Sequence, residues 1–162
     1  MLPEALLDQP LAQALEAFDP AAIITGKFAV GELTLEIEPA KILAVLRCLK
    51  SEHQFNRLAS VTAVDWFPTE PRFEVVYQLH SIPRNQRLRL KCRVSGDSAS
   101  IDSASAVYAG ADWYEREVFD LFGITFTHHP DLRRIMLPDY WEGHPLRRDF
   151  PVDGHRYSYK DE

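Results

Sequence analysis

The chain has few of the residues from which self-contained chemistry is built. It holds two cysteines, Cys48 and Cys92, in 162 residues. Two isolated thiols without other ligands make neither an iron–sulfur cluster nor a structural zinc site. Cys48 falls on an expected helix and Cys92 on an expected strand, so both read as small buried hydrophobes in a reducing compartment. The sequence also lacks a G-x-G-x-x-G turn after a strand, a G-x-x-x-x-G-K-[ST] phosphate loop, a C-x-x-C pair, an H-E-x-x-H helix and a G-x-S-x-G elbow. Those absences weigh against a dinucleotide, redox or hydrolytic site of its own. Positive charge is short as well: 18 Lys and Arg against 24 acids leave a net charge of -6. A nucleic-acid partner would call for a basic surface instead. No apolar run approaches the roughly 20 residues needed to span a bilayer. The opening MLPEALLDQP has no basic segment and carries Glu4 and Asp8. It is expected to be neither signal nor transit peptide, which leaves the bacterial cytoplasm as the expected compartment.

What remains is ordinary globular material, 46% hydrophobic and 26% charged, of single-domain length. Leu7, Leu11, Ala14, Leu15 and Phe18 recur at helical spacing, with Pro10 as the start or a kink. Residues 21–30 and 32–38 read as strands joined at Gly31. In the second, Leu33, Leu35 and Ile37 alternate with Glu32, Thr34, Glu36 and Glu38. Pro39 opens a helix with a stripe of Ile42, Leu43, Val45, Leu46 and Leu49. Residues 58–67, 73–82 and 87–94 read as three more strands. The last places Leu88, Leu90, Cys92 and Val94 inward and Arg87, Arg89, Lys91 and Arg93 on a solvated face. A final helical stretch is expected over 103–122, with a break at Gly110. The order implies a two-layer α+β domain over residues 1–126: helix, two strands, helix, three strands, then a further helix. Residues 127–162 form an extended, irregular C-terminal tail.

The junction of helix and tail carries the most information. At about 100° per residue, Trp113, Tyr114, Val118, Leu121 and Phe122 share one broad arc, with Glu117 inside it and Glu115 at its edge. A carboxylate on an apolar face needs a partner, and arginine suits it because its planar fork bonds both oxygens. At least one of Glu115 and Glu117 is therefore expected to pair with a tail arginine, Arg133, Arg134, Arg147 or Arg148. Gly123 fits the left-handed position that ends a helix. Pro130, Pro138, Pro145 and Pro151 then forbid a long helix or central strand. The tail still carries Leu132, Ile135, Met136, Leu137, Tyr140, Trp141, Leu146 and Phe150. Residues 128–156 balance five arginines with five acids. Apolar, aromatic and arginine content of this kind suits docking on a second protein. His128, His129, His144 and His155, with Asp131, Asp139 and Asp149, could also suggest a metal-dependent enzyme. Their spacing has no helical or hairpin logic that would bring them together, and polar docking or capping roles are the better reading.

These same residues resemble a known family. Glu115-Arg116-Glu117, Asp120, Gly123-Ile124, Phe126, His129-Pro130, Leu132 and Arg134-Ile135 resemble one conserved motif of the C subunit of NADH–quinone oxidoreductase, the 30 kDa subunit of respiratory complex I. Gly143-His144-Pro145-Leu146-Arg147 with Asp149-Phe150-Pro151 resembles the second. The two cover residues 103–151, and Arg133 and Arg148 lie within them. The resemblance implies a two-layer fold with a mixed sheet and a peripheral-arm subunit of a proton-translocating enzyme. It implies no cofactor in this chain; NADH, FMN, iron–sulfur clusters and quinone would belong to partner subunits. The implied partners are the D subunit, which the tail would wrap, and the neighbouring iron–sulfur subunits, the B and I subunits, at the cytoplasmic face of the inner membrane. The matching subunit of a membrane-bound hydrogenase, or of a ferredoxin- or plastoquinone-linked relative, is the alternative within this lineage. At this length the protein is expected alone, without fusion to the D subunit. Many members have glycine where this chain has His128, so a different local turn is expected there.

Overall fold

The computed structural model describes residues 3–96 and 98–151. After a 3-10 turn over Glu4–Leu6, helix α1 spans Pro10–Phe18, with Pro10 at the first position where its missing N–H costs nothing. Strands β1 (Ile23–Ala29) and β2 (Glu32–Ile37) form a hairpin around Gly31. Pro39 begins a 3-10 turn that leads into α2, Ile42–Ser51. Strands β3 (Arg57–Asp65), β4 (Phe73–Ser81) and β5 (Gln86–Val94) follow as an antiparallel meander. The five strands lie in the order β1-β2-β5-β4-β3, with β2 and β5 parallel, so the sheet is mixed.

The alternation in sequence is the alternation in space. Leu33, Leu35, Ile37, Val75, Tyr77, Leu79, Leu88, Leu90 and Cys92 are buried and share one core cluster with α1, α2 and the last helix. On the other face, the basic row of β5 is less solvated than expected. Arg89 pairs with Glu32 at 3.2 Å, and Lys91 and Arg93 pair with Glu74 at 2.8 and 3.5 Å. Both cysteines are free and buried, and burial pushes the Cys92 thiol well up.

The helical stretch expected over 103–122 is present and does break at Gly110, into a 3-10 turn and a separate α-helix; the pair of short strands that flanks it departs from expectation. Strand β6 (Ser100–Asp102) runs into a 3-10 turn at Ala104–Ala106, and α3 spans Ala111–Phe122. Ile124 and Phe126 are buried, and β7 (Thr125–Thr127) pairs in parallel with β6. Gly123 ends α3 with φ 73° and ψ 28°, the left-handed cap that its position suggested. His128 takes φ 61°, the conformation that favours glycine, so histidine there keeps a left-handed turn.

Candidate docking surface

Helix α3 is covered on two sides. Ala111, Glu115, Val118 and Phe122 face the sheet and core, while Arg116 and Asp120 face the segment that follows β7. Trp113 and Glu117 lie on the third side, exposed. The helical period alone puts Glu117 on the buried arc, because Trp113 widens that arc. Trp113 in fact lies at the surface, with the Arg116 guanidinium 5.2 Å from its ring centre. Neither Glu115 nor Glu117 pairs with a tail arginine among the described residues. Asp120 does.

Asp120 is the anchor of the first motif. One carboxylate oxygen accepts Arg134 Nη1 at 2.6 Å. The other accepts the backbone N–H groups of Ile135, Met136 and Leu137 at 3.0, 2.7 and 2.8 Å. Burial alone would raise this carboxyl, but the three N–H groups and Arg134 outweigh it and hold it below the usual carboxylate range. Arg134 Nη2 also donates to the carbonyls of Trp141 and Gly143 at 3.0 and 3.1 Å, which closes the loop between the two motifs. Arg116 donates to the carbonyls of Arg133 and Arg134. Arg133 itself is exposed beside Asp131, Pro130 is exposed, and Leu132 packs against the core.

The second motif caps the helix. The last carbonyls of a helix have no partner within it. Here His144 Nδ1 donates to Asp120 O at 2.8 Å, Leu146 N to Leu121 O at 3.1 Å, and Arg147 Nε to Phe122 O at 2.6 Å. Burial lowers the His144 value, which favours the neutral ring. A Cβ on Gly123 would lie 2.5 Å from His144 Cδ2, so the glycine is needed for closeness as well as for φ. Gly143 turns the chain at φ 80°, and Pro145 is partly buried. Arg147 lies over the Phe73 ring, 5.3 Å from its centre. Beyond it, Arg72 bonds Asp65 with Nε at 2.9 Å and Nη2 at 2.8 Å, and bonds Asp149 at 3.1 and 2.6 Å. Arg148 N donates to Asp65 Oδ2 at 2.8 Å. Burial would raise Asp65, but Arg72 and the N–H groups of Arg148 and Phe67 hold it at about 2. Phe150 N donates to Arg147 O, and Pro151 is exposed at the end of the described chain.

Sequence reasoning misses Asp65 and Arg72. The signal available is that Asp65 continues the inward row of Val61 and Ala63 on β3, where a charge needs a partner. Glu115 sits apart from the arginines. Its carboxylate accepts Ser103 Oγ and the Ala104 N–H, both at 2.6 Å, with His129 Nε2 3.9 Å away. Burial pushes it up to about 7, against the lowering effect of those two donors. The tail histidines serve separate partners: His128 faces Asp102, His129 bonds the Asp112 carbonyl, and His144 caps α3. Among the described residues they do not join a group of three metal donors; His155 lies outside those residues.

The two motifs thus form one continuous device on α3. A family model described as the respiratory-chain NADH dehydrogenase 30 Kd subunit matches residues 35–156. The chain belongs to this 30 kDa subunit family. It is 49% identical over 131 residues to the C subunit of the NADH-quinone oxidoreductase of Citrifermentans bemidjiense, covering 80% of this chain and 81% of that protein. The C subunit from Cereibacter sphaeroides is 43% identical, covering 99% of this chain and 80% of that one. The trypsin-resistant fragment (1-134) of Nqo5 superimposes with a TM-score of 0.65 at 28% identity, covering 75% of this chain and 98% of the fragment. A chain of the membrane-bound sulfane sulfur reductase, an archaeal respiratory membrane complex, gives 0.75 at 28% identity, covering 88% and 84%. This 30 kDa family member is a subunit of the membrane-associated complex I, and the hydrogenase-type alternative is not favoured. No helix among its described residues is long and apolar enough to cross a membrane.

Proposed function

We propose that this 30 kDa protein docks on the D subunit of its complex through segment 128–151 and the adjacent face of α3, beside the B and I subunits at the cytoplasmic face of the membrane. Its contribution to the enzyme is positional: it supports assembly of the electron-transfer and quinone-reducing module. NADH, FMN, iron–sulfur clusters and quinone are held by partner subunits. The division into a domain over 1–126 and a docking tail over 127–162 belongs to the same reading.

One observation carries it. The segment's charged anchors Arg134, Arg147 and Asp149 are engaged within the chain, while Trp113, Met136, Tyr140 and Leu146 stay 61%, 63%, 75% and 51% exposed. A fold that used the segment only for itself would turn those side chains inward, where each gains roughly 1.5–3 kcal/mol when fully buried. Exposed aromatic and aliphatic groups on a backbone already fixed in place are what an interface core requires. The test is co-purification of tagged D subunit with the Met136→Glu/Leu146→Glu double variant. The D subunit should be lost while the variant's own melting temperature holds. Its recovery at the wild-type level would place the docking surface elsewhere.

A further inference from the structure

Away from the docking segment, three donors of different chemistry meet at the end of α2. Cys48 faces the core from the helix, Glu52 is the capping residue one turn later, and His53 follows it. The thiol sulfur, a Glu52 carboxylate oxygen and an imidazole nitrogen of His53 all lie within 4.8 Å of one another. We infer that Cys48, Glu52 and His53 form a site for a soft divalent cation of the zinc class, a local staple on the last turn of α2.

The donor set selects the ion. Thiolate and imidazole favour zinc over magnesium or calcium, which take oxygen ligands. One thiolate, one carboxylate and one neutral imidazole balance two positive charges, so the filled site is neutral beside the core. Zinc bonds of about 2.0–2.3 Å place neighbouring donors roughly 3.3–3.8 Å apart, so the three groups would draw together on the ion. Without an ion, burial and the Glu52 charge both push the Cys48 thiol up. A cation between the two groups reverses that repulsion. The helix C-terminus adds partial negative charge at the same place.

The backbone around the donors is already fixed. Glu52 N donates to Cys48 O at 2.9 Å, Gln54 turns the chain at φ 61°, and the buried Phe55 donates from its N–H to Leu49 O at 3.0 Å. The Phe55 carbonyl accepts Tyr108 Oη at 2.6 Å. His53 also lines a cleft of about 290 Å³ with Gln9, Pro10, Leu11, Arg84 and Gln86, so the imidazole end of the group borders open space.

The experiment uses the full chain, reduced and stripped with chelator, titrated calorimetrically with zinc chloride and optically with cobalt chloride. Wild type should bind one zinc per chain and show a thiolate-to-cobalt charge-transfer band. Cys48→Ser should lose the band. His53→Gln, at a partly exposed position, should keep the fold and weaken zinc binding by more than about tenfold, the lower end of the cost of losing even an outer hydrogen-bond partner of a metal site. Zinc should raise the melting temperature of wild type and not of His53→Gln. No saturable binding, binding without the charge-transfer band, or equal affinity in wild type and His53→Gln would each overturn the site.

Discussion

In the five-stranded sheet nearly every inward position carries an apolar side chain, and the helices close over them in one cluster. Among the described residues from His128 to Pro151, Leu132 packs against that cluster and Arg147 lies over the ring of Phe73; the path of the chain there is set by Asp120, Arg134, His144, Arg147 and the Arg72–Asp149 pair. The two regions therefore answer to different forces. Apolar burial is non-directional, so it fixes which face of a strand points inward but tolerates many exact paths. A carboxylate that accepts three consecutive N–H groups fixes the backbone itself and asks nothing of the side chains at 135–137. That is how Met136 can face outward from a rigid segment.

The sharpest way to break this contrast is to compare Asp120→Asn with Leu46→Ala. Removing one partner of a buried charge pair costs about 3–5 kcal/mol. The loss should appear as faster amide exchange at Ile135, Met136 and Leu137, with the amides of β4 and β5 still protected. Leu46→Ala should cost about 2–5 kcal/mol and lower protection across the sheet. Equal loss of sheet protection in both variants would show that the docking segment and the core are one cooperative unit.

A comparable effect follows from pH, and here the two buried carboxylates Glu115 and Asp65 oppose each other. Glu115 stands at about 7, against a usual 4.5. Below about 4.5 it is protonated in both folded and unfolded chains and costs nothing. The penalty grows as pH rises toward 7 and is complete above it, on the order of 3 kcal/mol. Asp65, held at about 2 against a usual 3.8, contributes stability that is present above 3.8 and lost as pH falls toward 2. Urea denaturation of Glu115→Gln should therefore show a smaller loss of stability between about pH 5 and pH 8 than wild type shows. An unchanged slope would mean that Glu115 does not carry the penalty.

The smallest effect is expected at His128. A non-glycine residue in the left-handed region costs about 1–2 kcal/mol, and glycine returns roughly 0.5–1 kcal/mol of that as unfolded-chain entropy. His128→Gly should stabilise the protein by up to about 1 kcal/mol in thermal unfolding. A clear destabilisation would show that the contact of His128 Nδ1 with Asp102 Oδ1, at 3.3 Å, matters more than the backbone strain.

Local sequence alone determined the alternating faces of β2, β4 and β5, the stop of α3 at Gly123 and the membership of both motifs in one known family. Each depends on residues close in the chain or on a motif read whole. It did not reveal that Asp120, rather than Glu117, takes the tail arginine, because Trp113 widens the apolar arc while the real helix turns that ring to the surface. Nor did it show Arg72 bonding Asp149, a pair 77 residues apart. The parallel pairings of β2 with β5 and of β6 with β7 were likewise hidden. Which polar groups find each other depends on directional bonds across distances that only the folded chain closes, and a helical or strand period carries no record of them.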